Sequence, residues 1–168
     1  IGEAVMSFIL HLVLAAAIGS LLPAAATAGE ADQADSRQRF VQAEQAIAAD
    51  READYRQLAA TLKTYPLYPY LQYQWLKGRL SADSEIRQFL ADHAASRYAG
   101  LLKPKRLAYL GEQQRWQDFL RYYQGSDDGV LQCYAGLAYL ETGQSSEAFS
   151  LARTLWLSGK SQPNTCDG

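Results

Sequence analysis

Two cysteines bracket the last part of the chain, and the stretch between them has the pattern of a helical hairpin. Cys133 begins an apolar run that Gly143 interrupts, and a second apolar run leads to Trp156, ahead of Cys166. A disulfide between the cysteines would lock the two helices together, and closing a loop of this size stabilises a fold by roughly 3–4 kcal/mol. The fold must therefore accommodate one closed, antiparallel helix pair.

An internal repeat indicates that more of the chain is built from similar hairpins. The tetrapeptide Leu-Ala-Tyr-Leu occurs at residues 107–110 and again, thirty positions later, at 137–140. Two further pairs share this offset: Leu101 with Leu131, and Phe119 with Phe149. Such hairpins cannot bury their apolar faces alone, so they stack. The sequence therefore predicts an all-α fold, a right-handed α-superhelix (solenoid) of antiparallel helical hairpins that is tetratricopeptide-like but irregular.

Apolar spacing and helix-breaking residues define the expected helices. Pro66 should end the second helix, and Pro69 should lie in the first turn of the third. Ser81 or Asp83 is expected to cap the fourth helix, and Pro104 to open the fifth after a loop at 96–103. Ahead of the final hairpin we predict helices over residues 39–50, 54–65, 69–79, 84–94, 104–113 and 115–124.

The N-terminal segment has the pattern of an export signal. Residues 7–22 form an apolar run, and Ala26-Thr27-Ala28 fits the small-x-small rule for cleavage before Gly29. This run is shorter than the ~20 residues of a membrane-spanning helix. Glu3 and the lack of Lys or Arg before the run are atypical of a signal, so an uncleaved anchor or a cytosolic segment stays open. We expect a signal peptide at 1–28, a polar lead-in at 29–38 and a helical domain at 39–168, with no stable membrane insertion after cleavage.

The residue types of catalytic and metal sites are sparse in this chain. Acids and bases number 18 and 16, so the net charge is too small to attract nucleic acid. Without the signal, His93 is the single histidine. The two cysteines lack a Cys-x-x-Cys spacing, which favours a structural disulfide between Cys133 and Cys166 over a zinc or redox site. We expect no cofactor, no metal and no catalytic residue here.

A cluster of aromatic residues is the strongest candidate for ligand contact. Five lie within eleven positions: Tyr65, Tyr68, Tyr70, Tyr73 and Trp75. Aromatic rings can stack on the apolar faces of sugars, and tyrosine hydroxyls can bond to sugar hydroxyls. The same rings could instead pack between hairpins with their polar tips at the surface. Both interpretations stay open, and the candidate glycan contacts are Tyr68, Tyr70, Tyr73 and Trp75.

Two motifs carry a resemblance to a known family. The first is Tyr-Pro-Leu-Tyr-Pro-Tyr-Leu-Gln-Tyr at 65–73, and the second is Leu-Trp-Leu-Ser-Gly-Lys-Ser-Gln-Pro-Asn-Thr-Cys-Asp at 155–167. With these motifs the chain resembles the soluble lytic murein transglycosylases of Gram-negative bacteria. The position of Cys133 also fits that family, and the resemblance extends from about residue 35 to the end.

The resemblance implies a periplasmic enzyme of cell-wall turnover. Members cleave peptidoglycan glycan strands between N-acetylmuramic acid and N-acetylglucosamine and leave a 1,6-anhydromuramic acid end. They have a U-shaped α-superhelical domain, whose N-terminal portion this chain resembles, and a C-terminal lysozyme-like catalytic domain. Their catalytic glutamate lies in a Glu-Ser dipeptide, and no glutamate of this sequence precedes a serine.

We therefore expect a non-catalytic scaffold portion of such an enzyme. Its partners would be peptidoglycan glycan strands, through the full-length protein, and its own C-terminal catalytic domain. The alternative is a stand-alone exported helical-repeat adaptor that binds a protein partner in its groove.

Overall fold

The computed structural model describes residues 24–167, with side chains from Gly29 onward, and all regular structure in this part of the chain is helical. The α-helices are α1 Ala24–Ala48, α2 Glu52–Thr61, α3 Tyr68–Leu76, α4 Asp83–Asp92, α5 Arg97–Glu112, α6 Trp116–Tyr122, α7 Gly129–Glu141 and α8 Ser145–Leu157. A short 3-10 helix, Asn164–Asp167, follows α8. The predicted all-α class is confirmed.

The first helix is longer than the sequence pattern predicts. α1 begins at Ala24, whereas we expected a polar lead-in at 29–38 and a helix from Arg39. Residues 29–38 are almost all exposed, and a helix segment that buries no face carries no apolar stripe by which the sequence would reveal it. Their Ala, Glu, Gln and Arg nevertheless favour a helix. The boundary between the two structural units of the chain falls within α1, between Gln38 and Arg39. Up to residue 23, the predicted signal peptide lies outside the described residues.

The N-terminal hairpins share one apolar core. Ile86 and Phe89 of α4 are 0% and 1% exposed, at the helical spacing that the sequence predicts. Pro69 lies in the first turn of α3, also as predicted. The buried core consists of Phe40, Ala43, Ala46, Tyr55, Ala59, Leu62, Leu71, Trp75, Leu76, Ile86, Phe89, Ala99 and Leu102.

A second apolar core joins α5, α6 and α7. Its buried members are Leu107, Leu110, Phe119, Leu131, Ala135 and Ala138. The Phe119 ring meets the Tyr134 ring of α7 edge-on, with centroids 6.4 Å apart. Gly111 permits this close approach, because a Cβ there would clash with the Tyr134 ring. α7 therefore covers the hairpin that α5 and α6 form.

Pro104 lies inside α5 rather than at its start. The helix begins about two turns earlier, where the Ser96 Oγ accepts a hydrogen bond of 3.2 Å from the Ala99 N–H. A proline within a helix costs about 3 kcal/mol. Side chains on both sides of the proline are buried in the two cores: Ala99, Leu102, Leu107 and Leu110. Burial of both halves of α5 offsets this cost. The prediction that Pro104 opens the helix was wrong because it considered the proline and not this burial.

A charged cluster links α4, α5 and the start of α6. Arg106 is 1% exposed, and its guanidinium donates to the Leu80 carbonyl and the Asp83 carboxylate. Arg115 donates to both Asp83 oxygens, at 3.1 and 2.7 Å, and to Asp118 at 3.0 Å. Hydrogen bonds from Arg115, and then from Arg106, hold the pKa of Asp83 at about 2.

This cluster corrects the predicted cap of α4. The N-cap residue is Ala82, and no side chain caps this helix. Asp83 lies in the first turn, where its carboxylate is committed to the two arginines. The expected capping role of Ser81 or Asp83 is therefore wrong, because long-range ion pairing competes with local capping for the same carboxylate.

We expect Asp83→Asn to destabilise the protein, because Arg106 would keep its charge in a buried position without a carboxylate partner. The loss should be about 1.5–3 kcal/mol, the range for hydrogen bonds to charged groups, in urea unfolding at pH 7. The control is Asp54→Asn, which removes an exposed pair with Arg51 (3.0 Å) and should cost less than about 1 kcal/mol. Equal stability of the two variants would contradict the role of the cluster.

The contribution of Asp83 should also depend on pH. Its pKa is about 2 in the folded chain and 3.8 ordinarily. A lowered pKa stabilises the fold above the ordinary value, and that stabilisation disappears as the pH falls from about 4 towards 2. The stability difference between the wild type and Asp83→Asn should shrink over that interval.

Candidate functional site

The predicted disulfide joins Cys133 of α7 to Cys166 of the 3-10 helix. Their Cα atoms are 4.8 Å apart, and Cys133 is 4% exposed. The bond closes a loop that contains α8, so the hairpin of α7 and α8 is locked as the sequence predicts. Asp128 caps α7 by accepting hydrogen bonds from the Val130 and Leu131 N–H groups at 2.9 and 3.2 Å.

The segment between α8 and Cys166 is held against the hairpin. The Gln162 side-chain amide donates to the Leu155 carbonyl at 3.1 Å and to the Lys160 carbonyl at 2.9 Å. Pro163 lies close to Gly129 at the start of α7, within 3.3 Å of the place that a Cβ would occupy. The Trp-Leu-Ser-Gly-Lys-Ser-Gln-Pro motif therefore has a structural role, which is to hold the segment after α8 against the hairpin of α7 and α8.

The structure removes Trp75 from the predicted glycan contacts. This side chain is 1% exposed, and its ring stacks on Tyr55 with centroids 4.2 Å apart. The Arg79 guanidinium lies over the same ring, 3.2 Å from its centroid. A ring that is enclosed in this way offers no surface to a sugar, so Trp75 belongs to the core. The prediction failed because sequence spacing does not say which face of α3 is buried.

The tyrosines of the same helix form a half-buried surface together with a residue that the sequence did not single out. Tyr70 and Tyr73 of α3 meet Tyr98 of α5, with centroids 5.7 and 5.9 Å away. We call these three side chains the tyrosine face. Tyr98 was missed because it is isolated in sequence, and only the contact between α3 and α5 brings it to the cluster.

Cations border the tyrosine face, and the Tyr70 hydroxyl stays protonated. The Lys77 ammonium lies 5.9 Å from the centre of the Tyr73 ring, and the Arg97 guanidinium lies 5.7 Å from that of Tyr98. Burial, and then Glu44, raise the pKa of Tyr70, and burial raises the pKa of Tyr68. The surface can therefore offer ring edges and tyrosine hydroxyls to a polar ligand. Tyr68 is half-buried in the adjoining core.

His93 has a packing role. Its Nε2 is 3.0 Å from the Gln72 side-chain oxygen, and its ring centre is 5.0 Å from that of Phe89. Among residues 24–167, no three His, Cys, Asp or Glu side chains come together as metal ligands do. No helix in that same range is both long enough and apolar enough to cross a membrane.

Comparison with known proteins gives a consistent set of relatives. Models of protein families give no match. The soluble lytic murein transglycosylase of Escherichia coli K12 is 33% identical over 156 residues, which are 90% of this chain and 24% of that protein. The protein of the same name from Salmonella typhimurium LT2 is 34% identical over 137 residues, 79% of this chain and 21% of the relative. The chain is a homologue of the soluble lytic murein transglycosylases.

Solved structures of lytic transglycosylases share the fold. The 70 kDa soluble lytic transglycosylase of E. coli superposes with a TM-score of 0.69 at 32% identity, over 79% of this chain and 22% of that one. An inactive mutant of the lytic transglycosylase Slt from Pseudomonas aeruginosa gives a TM-score of 0.66 at 36% identity, over 77% and 22% of the two chains. The chain thus spans about a quarter of the length of the transglycosylases that it matches.

We expect the disulfide to supply a large share of the stability of the C-terminal hairpin. Reduction by dithiothreitol should lower the free energy of unfolding by about 3–4 kcal/mol, as the loop-entropy relation gives for this loop length. The double variant Cys133→Ala/Cys166→Ala should match the reduced wild type and should not respond to dithiothreitol. An oxidised wild type no more stable than this variant would contradict the role of the bond.

Proposed function

We propose that this chain is a scaffold portion of a periplasmic soluble lytic transglycosylase, the N-terminal portion of its U-shaped superhelical domain. The whole enzyme cleaves peptidoglycan glycan strands between N-acetylmuramic acid and N-acetylglucosamine and forms 1,6-anhydromuramic acid, in cell-wall turnover. The observation that carries the proposal is the 33% identity over 90% of the chain to a transglycosylase about four times as long.

Two of the described carboxylates, Asp83 and Glu147, are unsuited to the role of a catalytic acid. A glycosidase-type acid needs a pKa raised towards neutrality. Asp83 and Glu147 have shifted pKa values, and both are lowered: Asp83 chiefly by Arg115, and Glu147 by the Ser146 hydroxyl. These groups stay ionised at neutral pH and cannot donate the proton that breaks a glycosidic bond.

Two features support export to the periplasm. Disulfides persist in oxidising compartments and are rare in the cytosol, and this chain carries one between Cys133 and Cys166. The apolar run at 7–22 followed by Ala26-Thr27-Ala28 is typical of a cleavable signal. In that compartment the mature chain and the cell wall meet directly.

The tyrosine face is the part of the scaffold that we propose for glycan contact. Half-buried tyrosines expose ring surface and a hydroxyl while the rest of the side chain is fixed by packing. Tyr70, Tyr73 and Tyr98 hold one another in this way. Such a prearranged surface loses little conformational entropy when a strand binds.

The assignment of activity is tested on purified cell walls. The polypeptide of the complete reading frame should clear a peptidoglycan suspension and release products that end in 1,6-anhydromuramic acid. Residues 29–168 alone should release none. Products with reducing muramic acid ends, which signify hydrolysis, would contradict the reaction, and lysis by residues 29–168 would contradict the scaffold role.

The tyrosine face is tested by binding. In the complete polypeptide, Tyr70→Ala/Tyr73→Ala should weaken co-sedimentation with purified peptidoglycan about tenfold, or about 1.4 kcal/mol. The matched control is Tyr122→Ala, because Tyr122 is a half-buried tyrosine that packs on the other core. Circular dichroism verifies that each variant is folded. Unchanged binding by the folded double variant would assign these tyrosines to packing alone.

A further inference from the structure

A cleft opens where α2, α3 and α4 meet. Its volume of about 360 Å³ lies in the range of small-molecule sites, roughly 300–1,000 Å³. Helical spacing places Gln72 and Trp75 on the opposite side of α3 from the tyrosines of the tyrosine face, so the two surfaces are separate. We call this space the glutamine cleft, and the lining side chains that matter most here are Tyr55, Gln72, Trp75, Glu85, Gln88 and Phe89.

The lining of the cleft includes a buried hydrogen-bond donor without an acceptor. Trp75 is 1% exposed, and its indole N–H finds no acceptor within the part of the chain that the structure describes. Buried donors in folded proteins nearly always have a partner. The N–H lies in the plane of the ring, away from the ring surface that Tyr55 and Arg79 cover. An acceptor that enters the cleft would satisfy this group.

Two glutamines of the cleft offer complementary groups to a ligand. The side-chain oxygen of Gln72 lies 3.0 Å from the His93 Nε2, so it is engaged, and the amino group of Gln72 remains as a donor. The amino group of Gln88 donates to Asp92 at 2.7 Å, so the Gln88 oxygen remains as an acceptor. A secondary amide carries one acceptor and one donor, its C=O and its N–H. The two glutamines therefore match the hydrogen-bonding groups of such an amide.

The ionisable groups of the cleft favour a neutral ligand over an ion. The Glu85 carboxylate is paired with the Arg56 guanidinium at 3.0 Å, which neutralises its charge. Burial, and then Tyr68, raise the pKa of Tyr55, so its hydroxyl stays protonated. Leu76 and Phe89 give the cleft an apolar wall beside these polar groups. A neutral molecule with one polar and one apolar part fits this lining.

We propose that the glutamine cleft binds a secondary amide, either the N-acetyl group of an amino sugar or the peptide bond of a short peptide. The amide oxygen accepts hydrogen bonds from Gln72 and from the Trp75 indole, and the amide N–H donates to Gln88. Leu76 and Phe89 contact the methyl group or side chain next to the amide. The inference rests on the proposed function only for the source of the ligand, since both sugars of the proposed substrate carry an N-acetyl group.

The test follows the Trp75 indole N–H by nuclear magnetic resonance in the polypeptide of the complete reading frame, with isotope-labelled tryptophan. The resonance is assigned by its absence from the Trp75→Phe spectrum. A second, independent assignment is its displacement in Arg79→Gln, because the Arg79 guanidinium lies over the ring. The probes are N-acetylglucosamine for the sugar source and N-acetylalanine methylamide for the peptide source.

At least one probe should move the Trp75 resonance downfield, in a titration that saturates, because the N–H gains an acceptor. The probe that does so identifies the source of the amide. Glucosamine, which lacks the acetyl group, is the matched control for the sugar probe and should leave the resonance in place. A resonance that neither probe moves overturns the inference, as does an equal response to glucosamine.

A variant provides the second measurement. Gln88→Met removes the acceptor oxygen from an exposed position and should raise the dissociation constant of the bound probe about tenfold. The matched control is Gln57→Met, because Gln57 is an exposed glutamine of α2 that lines a different pocket. Circular dichroism verifies that both variants are folded. An unchanged dissociation constant in the folded Gln88→Met variant overturns the inference.

The binding test and the cleavage test fail separately. A polypeptide that cleaves glycan strands while both probes leave the Trp75 resonance in place would overturn the amide site alone. A polypeptide that binds a probe in the cleft but releases no 1,6-anhydromuramic acid ends would support the amide site and contradict the proposed function.

Discussion

A helical hairpin cannot bury its own outer apolar face, and the C-terminal part of this structure follows from that constraint. Leu110 and Phe119 are fully buried because α7 packs across α5 and α6. Leu140 and Phe149, at the equivalent positions of the next hairpin, are exposed. The same side-chain types therefore have opposite environments, and the difference lies in whether a following helix covers them. Stacking explains the repeat and the buried core together.

An ion-pair cluster and a disulfide reinforce this stacking where few apolar side chains are buried. The arginines 106 and 115 meet on Asp83 and so link α4 to α5 and to the residue that precedes α6. In the last hairpin the disulfide supplies the link to α7, because α8 buries only Ala148 among its described residues. A buried charge pair is a weak source of net stability but penalises wrong arrangements, because an unpaired Arg106 would be costly.

Sequence reasoning found the features that depend on local pattern or exact spacing. The helical class, the disulfide and the place of Pro69 are in this group. It missed features that tertiary contacts decide. The exposed start of α1 has no apolar period to reveal it, and Pro104 is tolerated because both halves of α5 are buried. The candidate site was half predicted: Tyr70 and Tyr73 lie on the tyrosine face, whereas Trp75 is buried and Tyr98 joins only through the contact of α3 with α5.

A stack of hairpins suits the scaffold role that we propose for this chain, because each hairpin extends a surface without altering the chemistry elsewhere. The central claim of this account is that a helical hairpin of this chain is held by the helix that packs across it, as α7 packs across α5 and α6. Amide hydrogen exchange of α6 in the complete polypeptide tests it most directly. The account predicts that the α6 amides, which α7 covers, exchange far more slowly than those of the exposed residues 29–38 of α1. Exchange of α6 as fast as that of residues 29–38 would contradict it.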